Sequence, residues 1–364
     1  MTQSVALITE LFRPSVGGQE YRFEQFAHGL AHKGCRVDVY TLDYTGGQLP
    51  AEERPDGYTV IRHARIPDYL RSGNRSLTGL VRYSKAVSSL AASIQSQYDA
   101  ILINEMPLLH LLRIKPTSRM IVDWCEFPTD IRAQLLAIWA ARRFEKGLTV
   151  DEPLGARLRL VNPRMSLGIV RSPVDLSNSA QVAKDPDLIL YLGRIVPHKN
   201  LAALLDGVVR LNQEKGLHKR VVVVGEGPLR TILEKRYANY PFIEFRGRVS
   251  EATKLDLLRR AWLFALPSKR EGLPNAFAEA IAAGTPVLAV SSRLNGAGNF
   301  ITRHKVGLVA RTPSARSIAT AISDLTSESW SSFEQNTRSV RKLFDRGLNL
   351  DFLLGMMNGS GAAA

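Results

Sequence analysis

Short β-branched runs alternate with stretches of helical periodicity along this chain, and they do so in two successive series. In the first, Val5 to Thr9, Arg36 to Leu42, Tyr58 to His63, Ala100 to Asn104 and Met120 to Asp123 read as strands. Tyr21 to Lys33 and Leu77 to Ile94 read as helices between them. The second of these carries Leu77, Leu80, Val81, Val87, Leu90, Ala91 and Ile94 at helical spacing, with Arg82 and Lys85 elsewhere on its surface. Such alternation predicts a parallel sheet covered on both faces.

A polar stretch, Arg171 to Asp187, reads as an interdomain linker because its Ser, Asn, Asp and Pro residues favour irregular backbone. The second series follows: strands at Leu188 to Leu192, Arg220 to Val224, Phe242 to Phe245, Trp262 to Leu266 and Pro286 to Val290. Helical patterns then occupy Ser314 to Leu325 and Ser331 to Leu343, before a small-residue tail from Gly359 to Ala364. With 364 residues, 45% of them hydrophobic, the chain can support two cores of roughly 170 residues each. The expected division is 1–175 and 176–364, two α/β doubly wound domains, with the last helices packing back on the first. Open α/β sheets bind ligands at the carboxyl ends of their strands, so two facing domains would create a cleft there.

The formal charge of +14 favours anionic partners: phosphate-bearing substrates, an acidic membrane surface or nucleic acid. Aromatics make up only 7% and no binding module is recognisable, so nucleic acid is not expected. Cys35 and Cys125, far apart and in apolar surroundings, suit neither a disulfide framework nor a metal site, and imply a reducing, cytoplasmic setting. No apolar run approaches the ~20 residues needed to span a bilayer.

Candidate chemistry clusters at strand ends. Gly193, Arg194 and Lys199 follow the strand ending at Leu192; the two cations either neutralise a ligand diphosphate or are solvated loop charges. Gly225, Glu226, Gly227 and Pro228 follow the next strand, either as a close backbone approach to a ligand or as a tight turn. From Leu266 to Ala289 a strand, a loop, a helix over Pro274 to Ala283 and a further strand succeed one another, with Pro274 and Gly284 punctuating the helix. Glu271 falls in the loop and Glu279 inside the helix, so they grip different parts of one ligand. The amides of residues 272 to 275 point toward the same space. Gly17 and Gly18, before the first long helix, read either as an anion cradle or as a tight loop.

These segments, "GGQEYRFEQFAHGLAHKGCRVDVYT", "YLGRIVPHKN", "VVVVGEGP", "FRGRV" and "LPSKREGLPNAFAEAIAAGTPVLA", together resemble the retaining family-4, or group 1, glycogen-synthase-like glycosyltransferases. The resemblance implies a GT-B architecture and a nucleotide-sugar donor, UDP- or GDP-linked, with a hexose passed to a glycan or lipid-linked acceptor in polysaccharide or glycolipid assembly. Arg194 and Lys199 would bind the donor diphosphate, and Glu271 the sugar hydroxyls. Glu279 would hold the ribose; Gly227, Arg248 and Val249 would lie near the base, and Gly272, Leu273, Pro274 and Asn275 around sugar and phosphate. Gly18 would reach the phosphates from the opposite domain. Neither a metal nor another cofactor is implied; Asp185 and Asp187 mimic an Asp-x-Asp motif, but their place in the linker reads as a turn. The segment "VDWCEFP" departs from the pattern, since Cys125 stands where the family has an acceptor-side His. Cys125 or Glu126 would then meet the acceptor, or the chain is a weakly catalytic partner subunit, or an epimerase on the same architecture. A basic surface at Arg62, Arg65, Arg71, Arg75, Arg82 and Lys85 fits either an anionic membrane or an ordinary solvated face.

Overall fold

The computed structural model describes residues 2–15, 17–47, 51–71, 74–128, 130–176, 182–292 and 294–359; the side chains of Arg71, Asn74 and Leu294 lie outside the described residues. So does most of the small-residue tail. The chain divides into two units: Met1–Pro173 together with Arg346–Ala364, and Val174–Asp345.

Unit 1 runs β1 (Ser4–Ile8), α1 (Gly18–His32), β2 (Arg36–Asp43), β3 (Ala51–Glu53), β4 (Tyr58–Arg65), the small pair β5 (Leu70–Arg71) and β6 (Asn74–Arg75), and α2 (Leu77–Ile94). It continues with β7 (Ala100–Asn104), α3 (Leu109–Arg113), β8 (Met120–Trp124), α4 (Ile131–Ala141), β9 (Lys146–Thr149), α5 (Glu152–Val161) and β10 (Ser166–Ile169). The main sheet has the order β10-β9-β8-β7-β1-β2-β4-β3, parallel throughout except for β3 against β4. Caps define the helix starts: Ser76 accepts from the Gly79 amide, and Asp130 and Asp151 cap α4 and α5. On one face Phe23, Phe26, Ala27 and Leu30 of α1 meet Val5, Leu7, Val37, Val39 and Leu102. The last helix, α13 (Arg346–Met357), joins that face through Leu350, Leu353, Met356 and Met357. Right-handed crossovers from β7 to β10 put α3, α4 and α5 on the other face, and α2, packed on α3, extends that layer.

Unit 2 contains β11 (Asp185–Leu192), α6 (Leu201–Lys215), β12 (Arg220–Val224), α7 (Arg230–Arg236), β13 (Ile243–Gly247), α8 (Glu251–Arg260), β14 (Ala261–Leu266), β15 (Arg270–Glu271) and α9 (Asn275–Ala282). After them come β16 (Val287–Val290), β17 (Leu294–Asn295), α10 (Gly296–His304), β18 (Gly307–Ala310), α11 (Ala315–Ser323) and α12 (Ser327–Val340). Its sheet, β13-β12-β11-β14-β16-β18, is wholly parallel and buries Ile189, Val221, Val223, Leu263 and Leu288 beneath Leu204, Leu205 and Val208 of α6.

Two expectations need correction. Asp185 and Asp187 do not form a linker turn: they open β11, where Asp185 pairs with Arg220 and Asp187 lies 3.5 Å from Lys219. The linker is correspondingly shorter. The helix after Pro274 also starts one residue later, with Pro274 as its extended N-cap.

Candidate functional site

In unit 2 the loops after β11, β12 and β13 interlock through their backbones. Gly193 donates to Val224 O at 3.0 Å, Gly225 to Gly247 O at 2.8 Å, and Ile195 to Glu226 O at 2.8 Å. A Cβ on Gly225 would stand 2.0 Å from Gly193 O, and one on Gly227 would stand 2.3 Å from Ile195 O. The GEGP glycines are therefore required by neighbouring backbone, a packing reason complete in itself.

Arg194 emerges from this knot as an exposed side chain, its own carbonyl held by the Tyr191 hydroxyl at 2.8 Å. Lys199 ends a 3-10 turn, Pro197–Lys199, that is stopped by Asn200 in the left-handed conformation (φ +57°). The Asn200 amide bonds both Pro267 O and Pro313 O, which fixes the turn against the end of β14. There the Lys199 ammonium pairs with the Glu271 carboxylate; the two side chains are 12% and 16% exposed. Glu271 is placed by the short parallel ladder of β15 with β17, and Asn295 pins that ladder by bonding Ser268 O, Val290 O and the Ala297 amide. An ammonium and a carboxylate held together at the sheet's carboxyl end can each exchange the other for a ligand: the cation for a phosphate, the carboxylate for hydroxyls.

Glu279 sits inside α9, buried, with Lys254 of α8 at 2.7 Å; Lys254 also reaches Glu251 at 2.7 Å. Burial opposes the charge on Lys254, yet Glu279 and Glu251 outweigh it and raise its pKa above the ordinary lysine value. Glu279 borders a concavity that Lys184, Leu255, Arg259 and Arg338 also line. Arg248 is exposed just beyond β13, with Val249 half-buried beside it. The amide cluster expected at 272 to 275 is incomplete, since Pro274 has no N–H and the Leu273 side chain is buried as core.

Unit 1 presents a different arrangement. Gly17 is the extended N-cap of α1 and Gly18 its first residue. A Cβ on Gly17 would lie 2.3 Å from the Glu20 carboxylate, which folds back over the helix start and accepts from Ser15 Oγ at 2.8 Å. The expected anion position thus already carries a carboxylate of the chain itself. At the ends of β7 and β8, Arg22 of α1 holds Asp123 through two bonds of 2.8 Å and donates to Val170 O at 2.7 Å. Glu105, equally buried, accepts from the amides of Cys125 at 3.0 Å and Glu126 at 3.3 Å, and from Gln19 at 3.2 Å. Burial and the nearby Asp123 charge push the Glu105 carboxyl up to about 8. Burial, with Asp123 and Glu105, pushes the Cys125 thiol well above its ordinary value, so it stands as a neutral hydrogen-bonding group rather than a thiolate.

Arg194, Lys199, Glu271, Glu279 and the glycines thus belong to unit 2, while Gly17, Gly18, Cys125 and Glu126 belong to unit 1. Sequence reasoning missed Lys254, Glu105, Arg22 and Asp123. A charged residue just beyond a strand whose first four residues are apolar, as Glu105 follows Ala100 to Asn104, was the available signal. Among the described residues, His28, His32 and Asp56 come within metal-ligand reach of one another, on the surface of unit 1 and away from these groups.

Residues 175–341 match the family described as glycosyl transferases group 1. Over 155 residues the chain is 32% identical to a GDP-mannose-dependent alpha-(1-6)-phosphatidylinositol dimannoside mannosyltransferase of Mycobacterium tuberculosis, covering 42% of this chain and 38% of the relative's length. A D-inositol 3-phosphate glycosyltransferase of Nocardioides sp. is 26% identical over 84% of this chain and 77% of its own. The fold is shared with sucrose-phosphate synthase from Thermosynechococcus elongatus, at a TM-score of 0.76 and 18% identity over 100% of both chains. The chain as a whole therefore has the GT-B architecture of two Rossmann-like units, and its residues 175–341 are similar to the group 1 glycosyl transferases.

Proposed function

We propose that the protein is a retaining, metal-independent glycosyltransferase that moves a hexose from a UDP- or GDP-linked donor to a glycan or lipid-linked acceptor in polysaccharide or glycolipid assembly. The observation that carries this reading is the Lys199–Glu271 pair beside exposed Arg194 at the carboxyl ends of the unit 2 strands. In the reaction, the acceptor hydroxyl oxygen bonds to the sugar's anomeric carbon as the bond to the nucleoside diphosphate breaks. The departing phosphate oxygen takes the acceptor proton on the same face. Arg194 and Lys199 meet the charge growing on the leaving group, a preorganised role that requires no protein nucleophile. Glu271, released from Lys199, accepts hydrogen bonds from the sugar hydroxyls, and Glu279 from the ribose, with Lys254 holding that carboxylate in place. Gly227, Arg248 and Val249 lie toward the base; Gly272, Leu273 and Asn275 frame the sugar. Cys125, as a neutral thiol, and Glu126 contribute hydrogen-bonding groups to the acceptor side. The free thiols Cys35 and Cys125 support a cytoplasmic setting.

The test is a panel of UDP- and GDP-hexoses, GDP-mannose included, against soluble glycans and polyprenyl or inositol lipid acceptors, with products read by mass spectrometry and anomeric configuration by NMR. Transfer with the donor's configuration kept is the expected result. Donor binding without transfer across the panel would identify a partner subunit instead, and isomerised donor formed without acceptor an epimerase.

A further inference from the structure

Helix α4 turns its large apolar side chains outward. It buries only alanines, Ala137, Ala140 and Ala141, and holds its largest apolar side chains in solvent: Ile131 is 66% exposed, Leu135 61% and Trp139 62%. Spaced four apart, the three form one stripe along the helix. Water contact forgoes the free energy that burial of such side chains yields, and a contiguous stripe of this kind marks an interaction surface. Tryptophan in particular suits a boundary between an apolar and a wet phase.

The surroundings of the stripe select its occupant. Helix α3 packs against both α2 and α4, and α5 against α4, so the four make one layer of unit 1. They carry six cations, Arg82, Lys85, Arg113, Arg132, Arg157 and Arg159, all exposed, and a single acid, Glu152, which is bound to Arg171. Leu77 of α2 and Leu160 of α5 add apolar groups that are 81% and 85% exposed. Across the sheet, α1 instead carries Glu20 and Glu24, half-buried and bound to Ser15 and Arg13. The basic surface expected from Arg62 to Lys85 is narrower than the sequence suggested. Arg62 is almost buried beside Glu52, and Arg75 is bound to buried Glu10; the Arg71 side chain lies outside the described residues. Arg82 and Lys85 remain on the α4 layer, and Arg65, 68% exposed with Asp43 at 3.9 Å, stands apart from it at the end of β4. No helix among the described residues is long and apolar enough to cross a membrane, which leaves attachment at the surface.

We propose that α4 docks unit 1 on an anionic phospholipid surface, its Ile131–Leu135–Trp139 stripe entering the headgroup boundary while the cations of α2 to α5 face lipid phosphates. The docking requires no transferase activity, so it stands or falls separately from the proposed function. The experiment is co-sedimentation of the full chain with vesicles of phosphatidylcholine alone or mixed with phosphatidylglycerol, at low and high salt, alongside the triple variant I131S/L135S/W139S. The wild type is expected to bind the anionic vesicles, to weaken with salt, and to show blue-shifted tryptophan emission. The triple variant is expected to bind on the order of tenfold more weakly or worse, with unchanged circular dichroism and unchanged nucleotide-sugar binding. Arg132→Gln combined with Arg157→Gln should weaken binding while keeping the blue shift on what remains bound. Equal binding to neutral vesicles, no binding at all, or an unaffected triple variant would overturn the proposal. So would concentration-dependent self-association abolished by the same substitutions, which would assign the stripe to a second copy of the chain.

Discussion

The two units use the same topological position, the carboxyl ends of parallel strands, for opposite electrostatic ends. In unit 2 the charges are paired but within reach of water: Lys199 with Glu271 and Lys254 with Glu279, beside an exposed Arg194. In unit 1 they are sealed: Arg22 and Asp123 are 2% and 0% exposed, with the protonated Glu105 carboxyl beside them beneath the amides of Cys125 and Glu126. A pair near solvent can trade its partner for a ligand at modest cost. A sealed pair cannot, because an unmatched charge left in the interior is strongly destabilising. The first arrangement suits binding and chemistry, whereas the second fixes where strand ends and the following loop stand.

Breaking the sealed pair should have the largest effect. Arg22→Ala is expected to destabilise unit 1 by about 3–5 kcal/mol, seen as an early urea transition that leaves the unfolding of unit 2 in place. A single unshifted transition would mean that Arg22 and Asp123 contribute little. Breaking the open pair should spare stability and remove function. Lys199→Ala and Glu271→Ala are each expected to lower turnover by about 10²–10³-fold with circular dichroism unchanged, and wild-type turnover in either variant would dismiss the assignment. The third expected effect is read through pH. Glu105 keeps its proton up to about pH 8 when folded, whereas an exposed glutamate loses it near 4.5. The folded chain therefore binds more protons between those values, so this residue makes stability fall as pH rises from about 5 to about 8 and level off above. Glu105→Gln should flatten that decline in thermal melts, with Asp123, Glu126, Cys125 and Arg22 still facing the site; an unchanged slope would place its origin elsewhere.

Much of this was legible beforehand. Helix 77–94 and the strands at 100–104 and 220–224 stand where their periodicity puts them. The cations and carboxylates of unit 2 were marked by the order of their motifs. The short strands β9, β10 and β18 were not visible, because each has only four residues and one is glycine. Helix α4 escaped because, apart from Arg132 and Gln134 in its first turn, its sequence is apolar throughout, so no polar stripe marks its period. Lys254, Arg22 and Glu105 were missed for another reason. Local pattern does not encode which distant residue a charge will meet, and their partners lie 25, 101 and 20 positions away.

Helix α13 gives unit 1 an unusual dependence on time. As synthesis proceeds, unit 2 has all its residues once Asp345 has emerged, whereas unit 1, begun first, still lacks Leu350, Leu353, Met356 and Met357 from its core. Gly29 and Gly168 stay without side chains to receive that late arrival, since a Cβ on either would collide with Leu350 or Met356. The two units are therefore completed in the reverse of the order in which they are begun. The segment translated first must wait, incompletely closed, for the last helix to seal it, and a premature stop just past residue 345 would strand the amino-terminal half rather than the carboxyl-terminal one.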